Sequence, residues 1–185
     1  MKVIATALLG FCFAFFPTEI NAQKNQKFVK KENSVEQRLQ QIEDKMALKN
    51  LVDTFSNLAD VKDVKNQMFL FTEDAIVEAN LGGRVSKSQG RDEIFKGFTY
   101  YLDLFDLVYH SNGQQVVDIK GDTATGIAYC TVLLIGNQEG KRTATTHYII
   151  YNDTYVKRGG KWYISHRKSN FVHTEVKEIG STDRR

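Results

Sequence analysis

Residues 143–171 read TATTHYIIYNDTYVKRGGKWYISHRKSNF, and this stretch decides the fold. β-Branched and aromatic residues run on both sides of Gly159-Gly160, which is typical of two strands joined by a tight turn. We therefore predict strands over residues 143–157 and 161–171. Both are long for strands, so the sheet that contains them must curl.

Two further strands are predicted upstream, over residues 107–119 and 123–135. Gly-Asp and Gln-Glu-Gly turn sequences join the strands in order, so consecutive antiparallel hairpins are expected. An earlier strand pair fits residues 75–85, with its turn at Gly82-Gly83.

Helices are predicted before these strands. Ser34 and Gln37 form a capping-box pattern that begins a long helix ending near Asp60. Apolar residues follow it at helical spacing: Val35, Leu39, Ile42, Met46, Leu51, Phe55 and Leu58. A second helix fits residues 61–71, with Asp60 able to cap its start, and a third fits residues 92–105.

Helices first and long antiparallel strands last is typical of an α+β fold. We expect a cone: a strongly curved antiparallel sheet wrapped round the long N-terminal helix, with one open end. The domain is predicted to cover residues 34–173, after a polar linker over residues 23–33 and before a C-terminal tail over residues 174–185.

Residues 1–22 have the pattern of a secretory signal peptide. Lys2 is followed by an apolar run over residues 3–16 and a short polar region that ends at Ala22. The run is shorter than the roughly 20 residues that span a bilayer. We predict export to the periplasm or the medium, and a retained N-terminal anchor is the alternative.

Charge and cysteine content exclude several classes. The net charge of +3 comes from lysines in residues 23–31 and from the C-terminal arginines, so the remainder is close to neutral and predicts no nucleic-acid partner. Removal of the signal peptide leaves Cys130 alone, which excludes an internal disulfide. Cys130 lies within a predicted strand, where cysteine usually behaves as a small apolar residue.

Known chemical motifs are absent from the sequence. It has no GxSxG, no P-loop and no GxGxxG, and its four histidines lie in no metal-binding spacing, so we predict neither a cofactor nor a metal. Acid–base chemistry by histidine remains. Both faces of the strand at residues 143–157 are largely apolar, so the sequence leaves open which one lines a pocket.

Three stretches carry a resemblance that covers roughly residues 34–170. The first is Leu58-Ala59-Asp60 with Val61-Lys62-Asp63 and Leu70 to Ala75. The second is Tyr109-His110-Ser111-Asn112, followed by residues 116–124. The third is residues 151–157, followed by residues 159–164 and Arg167. Their order and spacing are similar to the SnoaL-like branch of the nuclear transport factor 2-like superfamily, which includes scytalone dehydratase and bile acid 7α-dehydratase.

The resemblance implies a cystatin-like cone with a catalytic Asp-His dyad inside it. Transferred residue by residue, the dyad is Asp60 and His110, with His110 as base and Asp60 as its orienting partner. Phe55, Tyr129, His147 and Tyr151 are then candidate substrate contacts. It also implies a homodimer.

Two hypotheses for function follow. The first is a cofactor-free lyase (dehydratase) or isomerase that acts on a small hydrophobic, oxygen-bearing molecule. The second is a non-catalytic ligand-binding or dimerisation domain, and it is favoured by Phe55, Leu134 and Phe171, which are apolar where related enzymes carry polar groups. Two structural readings also stay open: Asp60 as a helix cap, and Asp153 with Arg167 as a cross-strand pair.

Overall fold

A computed structural model describes residues 34–180 of the chain. The predicted signal peptide (residues 1–22) and linker (residues 23–33) lie outside the described residues, and both stay predictions. Within residues 34–180 no helix is long and apolar enough to span a membrane.

Helix α1, Val35–Asp60, begins at the predicted capping box. The Ser34 hydroxyl accepts a hydrogen bond from the Gln37 amide, and the Gln37 side chain accepts one from the Ser34 amide. Leu48, Val52 and Phe55 on the C-terminal half of the helix are buried in the core. The apolar residues of the N-terminal half do not pack into the core, since they are more than half exposed: Val35, Leu39, Ile42 and Met46.

The segment after α1 differs from the predicted second helix over residues 61–71. Lys62 has a left-handed φ of 57°, which ends α1, and only a short helix α2, Val64–Gln67, and a 3₁₀ turn, Met68–Leu70, follow. Asp63, not Asp60, caps α2, because its carboxylate accepts a hydrogen bond from the Asn66 amide. The reading of Asp60 as the cap is therefore wrong, and its side chain is available for another contact.

Within residues 34–180, six strands form one sheet. Their bounds are β1 Phe71–Leu81, β2 Arg84–Gln89, β3 Phe105–Lys120, β4 Thr123–Gln138, β5 Lys141–Arg158 and β6 Lys161–Glu178, and helix α3, Arg91–Asp103, lies between β2 and β3 in the chain. The strand order is β2-β1-β6-β5-β4-β3. The predicted hairpins of β3 to β6 and the turn at Gly82-Gly83 are confirmed.

Two features of the sheet were not predicted. β1 pairs in parallel with β6, which joins the first hairpin to the end of the four-strand meander. β6 also continues past residue 173, the predicted end of the domain, because its pairing with β5 extends to Thr143 opposite Glu178.

The structure settles which strand faces are internal. In β5 the side chains of Thr145, His147, Ile149, Tyr151, Asp153 and Tyr155 are buried. In β4 the internal set is Ala128, Cys130, Val132 and Leu134, and the alternate residues point outward. The predicted α+β cone of a curved sheet round α1 is confirmed, with a continuous apolar core between them.

A polar contact fixes α1 to the β5–β6 hairpin. The Asp44 carboxylate accepts hydrogen bonds of 2.7 Å from the Trp162 indole and from Lys157. Burial alone would raise the pKa of Asp44, but these two donors hold it below its usual value. α1 is therefore anchored from Asp44 onward.

Candidate active site

A cavity of about 640 Å³ lies inside the cone. This volume is within the range of small-molecule pockets. Its inner wall is mainly apolar and aromatic, with contributions from α1, α3 and all six strands of the sheet described over residues 34–180. The members that matter for the chemistry are Phe55, Gln67, Phe98, Tyr101, His110, Val132, Leu134, His147, Ile149, Tyr151, Arg167 and Phe171.

His110 and Asp60 form a hydrogen-bonded pair at the inner part of this cavity. Asp60 is the last residue of α1, and its carboxylate contacts His110 on β3. Its Oδ1 lies 2.7 Å from Nδ1 of His110 and accepts a second bond, of 2.9 Å, from the His110 backbone amide. The His110 side chain is 7% exposed and that of Asp60 24%. The predicted pair is therefore in direct contact.

The geometry assigns the tautomer of His110. A carboxylate only accepts hydrogen bonds, so Nδ1 carries the proton and Nε2 has the free lone pair. Nε2 has no hydrogen-bond partner within residues 34–180, and the imidazole lines the cavity. Burial lowers the pKa of His110, and Asp60 only partly offsets this effect. At neutral pH the ring is an uncharged base directed at the cavity.

Arg167 on β6 forms a second polar feature of the wall. Its Nε and Nη2 donate bonds of 2.9 and 2.7 Å to the two oxygens of Asp153, which confirms the predicted cross-strand pair. The guanidinium carbon also lies 4.3 Å from the ring centroids of both Phe55 and Tyr151. Nη1 has no hydrogen-bond partner in the described part of the chain. Arg167 thus lines the cavity as a buried cation with one guanidinium nitrogen that has no partner among residues 34–180.

A third polar group lies across the sheet from His110. His110 pairs with Val132, and Val132 pairs with His147, so the two histidines are in one row with one strand between them. Two strand spacings separate their backbones by about 10 Å. His147 Nδ1 lies 2.8 Å from the Thr174 hydroxyl and Nε2 lies 3.2 Å from the Tyr101 hydroxyl.

Burial sets the charge of this third group. It lowers the pKa of His147 and raises the pKa of Tyr101 to about 12. Both side chains are therefore neutral at physiological pH. A neutral phenol and imidazole can hydrogen-bond a ligand oxygen without introducing charge into an apolar cavity.

The predicted substrate contacts fall on two faces of the sheet. Phe55, His147 and Tyr151 are on the cavity wall with His110, and their role as contacts stays a prediction. Tyr129 is on the outer face and 41% exposed, so it does not reach this cavity. The prediction failed because both faces of β4 are apolar, and the internal face is the one that carries Ala124 and Ala128.

Arg167 and Tyr101 are polar cavity residues that were not among the predicted contacts. Arg167 was considered only as a member of the cross-strand pair with Asp153. The sequence does offer a signal that Tyr101 lines a cavity, because its phenol lies on the inward face of a helix packed over the sheet. For Arg167 the only such signal is its alternation with buried residues along the strand. In residues 34–180 no three His, Cys, Asp or Glu side chains converge as a metal site.

Cys130 is not a candidate nucleophile. Its side chain is buried, and burial raises the pKa of the thiol to about 11. The thiolate that nucleophilic attack requires is therefore scarce at neutral pH.

Comparison with known families gives one match of broad extent. The family model described as the SnoaL-like domain matches residues 40–168, which is most of the chain. Among curated proteins no sequence matches significantly.

Solved structures share the fold at low sequence identity. A proposed scytalone dehydratase from Novosphingobium aromaticivorans superposes with a TM-score of 0.66 at 21% identity, over 78% of this chain and 97% of that chain. A type 2 hexachlorocyclohexane dehydrochlorinase, LinA, gives 0.66 at 13% identity, over 80% of this chain and 99% of that chain. An NTF2-like protein with a cystatin-like fold, also from N. aromaticivorans, gives 0.54 at 22% identity, over 73% and 86%.

Proposed function

This chain belongs to the SnoaL-like domain family, and from that premise we propose that it is a cofactor-free lyase or isomerase in which His110 is the base. The single observation that carries the proposal is the Asp60–His110 pair, with its free Nε2 on the wall of an apolar cavity. The likeness to a proposed scytalone dehydratase and to a dehydrochlorinase supports the reaction class.

The first step is removal of a proton from a carbon beside a carbonyl group. His110 Nε2 takes the proton, and Asp60 stabilises the imidazolium that results. The electron pair left on carbon moves toward the carbonyl oxygen. The positive charge of the Arg167 guanidinium on the cavity wall is suited to stabilise the negative charge that develops there.

The second step returns the proton from His110. In a dehydratase the imidazolium protonates a departing hydroxyl group, which leaves as water while the double bond forms. In an isomerase the same proton is delivered to a different carbon. Both routes leave His110 neutral at the end of the cycle, so neither requires a cofactor. General acid–base help of this kind contributes roughly 10² to 10⁴ in rate.

The cavity indicates the kind of substrate. Its walls are mainly apolar, and their polar side chains include His110, Arg167 and the Tyr101–His147 pair, together with Gln67, Arg84, Ser86, Ser88 and Ser169. The two carboxylates beside these groups already have partners, so they are not free to accept a hydrogen bond from a ligand. Asp60 is bonded to His110, and Asp153 is paired with Arg167. We propose a hydrophobic molecule of fused-ring size with a carbonyl and a second oxygen, such as a steroid or polyketide-like ring.

The test begins with the natural ligand. The protein is incubated with an extract of its source cells, and the retained small molecules are identified by mass spectrometry. The retained compound is then given to the wild type, to His110→Gln and to His166→Gln, a matched control at a histidine outside the cavity. We expect turnover by the wild type and the control, and a loss of roughly 10² to 10⁴ in His110→Gln. Equal turnover in His110→Gln would contradict the proposal.

A non-catalytic binding domain is the second candidate. Phe55, Leu134 and Phe171 all line the cavity, and they bring no hydroxyl, imidazole or guanidinium to it. The same experiment separates the two functions. Saturable binding of the retained compound without turnover by the wild type would favour a carrier.

We also propose that the chain is exported and acts as a homodimer. Export rests on the signal-peptide pattern of residues 1–22, and its test is the detection of a processed chain outside the cytoplasm. The homodimer rests on the resemblance. An apparent mass equal to one chain at all concentrations would contradict it.

A further inference from the structure

An apolar stripe runs along the N-terminal half of α1 and packs against nothing among the described residues. It consists of Val35, Leu39, Ile42 and Met46, which are 73%, 54%, 56% and 61% exposed. Nearly every residue from Ser34 to Glu43 is exposed, so this half of the helix projects from the cone. We call these four residues the helix stripe. Four large apolar side chains aligned in solvent require a partner or carry a cost in solubility.

The helix stripe cannot turn inward on its own domain. At about 100° per residue it lies roughly 150° round the helix from the buried set of Leu48, Val52 and Phe55. Asp44, which anchors α1 to Trp162 and Lys157, is on the same side as that buried set. Rotation of the helix to bury the stripe would therefore break the anchor and expose the core.

The spacing of the stripe is that of a coiled-coil seam. The steps of four, three and four residues place Val35 and Ile42 at d positions and Leu39 and Met46 at a positions. The charged residues that flank the seam are also separated by sign between the e and g positions. The e positions are Glu36 and Glu43, and the g positions are Arg38 and Lys45.

These charges select both the partner and its direction. In a parallel pair each g residue meets the e residue of the next heptad on the other helix, so Arg38 of each chain meets Glu43 of the other. In an antiparallel pair g residues meet g residues and e residues meet e residues. That arrangement opposes arginine to lysine and glutamate to glutamate, so it is repulsive.

We infer that the helix stripe is the interface for a second copy of this chain, in a parallel α1–α1 pair. This inference names the surface of the homodimer proposed above and rests on that proposal. The two cone domains do not obstruct the pairing of the helices, because the face of α1 that packs inside the cone is opposite to the helix stripe. Each cone then lies on the outer side of its own helix.

A seam of four apolar positions is short for a stable coiled coil. The anchoring of α1 in the core offsets part of this weakness. A free helix of about 12 residues is marginal in water because nucleation costs so much entropy. Here the C-terminal half of α1 is already held in the core, so the N-terminal half extends an existing helix and association pays less ordering entropy.

Sedimentation equilibrium of the full chain over a concentration series tests the interface. We expect concentration-dependent dimers for the wild type, and dimers at least about 100-fold weaker for Leu39→Glu/Ile42→Glu, because two seam positions then bury a carboxylate in each chain. Val116→Glu is the matched control, since Val116 is 71% exposed on the outer face of β3. Circular dichroism confirms that each variant is folded.

Three outcomes separate the two proposals. Dimers lost in the helix-stripe variant and kept in Val116→Glu support the inference. Dimers kept in the helix-stripe variant overturn it and leave the homodimer standing. A wild type that is monomeric at every concentration overturns both, as it would if residues 1–33 of the same chain cover the stripe.

A charge exchange tests the parallel direction. Arg38→Glu and Glu43→Arg each place like charges at both e–g contacts, and we expect roughly tenfold weaker self-association for either alone. An equimolar mixture of the two variants restores opposite charges at both contacts. Recovery in the mixture is expected, and no recovery would overturn the parallel arrangement.

Discussion

Replacement of Asp153 by Asn probes how the cavity wall is held together. Arg167 and Asp153 are each 1% exposed and share two hydrogen bonds. The amide keeps the shape of the carboxylate, removes its charge and replaces one acceptor oxygen by an NH2 group that opposes the donors of Arg167 or Tyr155. The Arg167 guanidinium stays protonated at any accessible pH, so the folded variant must bury a cation without its counter-ion.

The expected cost is about 3–5 kcal/mol in the free energy of unfolding, the range for a buried ion pair that loses one member. The contacts of Arg167 with Phe55 and Tyr151 are present in both proteins, so they do not reduce the difference. For a domain of this size the loss lowers the melting temperature by roughly 10 °C or more.

Urea and thermal denaturation followed by circular dichroism measure the loss. The double variant Asp153→Asn/Arg167→Met removes both charges and should recover most of the stability, because an apolar side chain of similar length refills the site. Glu178→Gln is the control, since its ion pair with Lys141 is exposed and should contribute little. A loss below about 1 kcal/mol in Asp153→Asn would refute the reasoning that the charge pair is desolvated.

The remaining predictions concern the cavity. The kcat/KM of the wild type should fall about tenfold per pH unit on the acid side, with the bend below pH 6.5, because burial lowers the pKa of His110 and only the neutral ring is a base. Asp60→Asn should move the bend in the kcat/KM profile to still lower pH and reduce the maximal kcat/KM, since Asp60 raises the pKa of His110. An unchanged pH profile would contradict the role of Asp60 as the partner of His110. Tyr101→Phe should weaken ligand binding about 3- to 10-fold in calorimetry, whereas Tyr148→Phe on the outer sheet face should not.

The strands and the long helix could be predicted because they depend on local signals. Residues 143–171 alternate around Gly159-Gly160, and the capping box at Ser34 marks the start of α1 in the sequence itself. The parallel pairing of β1 with β6 could not be predicted, because it joins residues almost a full domain apart and leaves no local pattern. The second helix was predicted too long because apolar residues at helical spacing also suit a 3₁₀ turn that enters a strand.

The candidate site likewise contains residues that the sequence could predict and residues that it could not. His110 and Asp60 were predicted by resemblance, and their contact depends on the turn at Lys62, which periodicity does not reveal. Tyr129 was misplaced because strand parity gives two faces and no preference when both are apolar. Arg167 was underestimated because a cross-strand pair with Asp153 accounts for two of its donors but not for the third.

The central claim is that Asp60 fixes the tautomer of a His110 ring that burial keeps neutral, with a free Nε2 facing the cavity. Nuclear magnetic resonance of the ¹⁵N-labelled imidazole tests it without a substrate. We predict at pH 7 a protonated Nδ1 and an unprotonated Nε2, with titration of the ring below pH 6.5 and its signal identified by loss in His110→Gln. An imidazolium at pH 7, or a proton on Nε2 instead of Nδ1, would contradict the account.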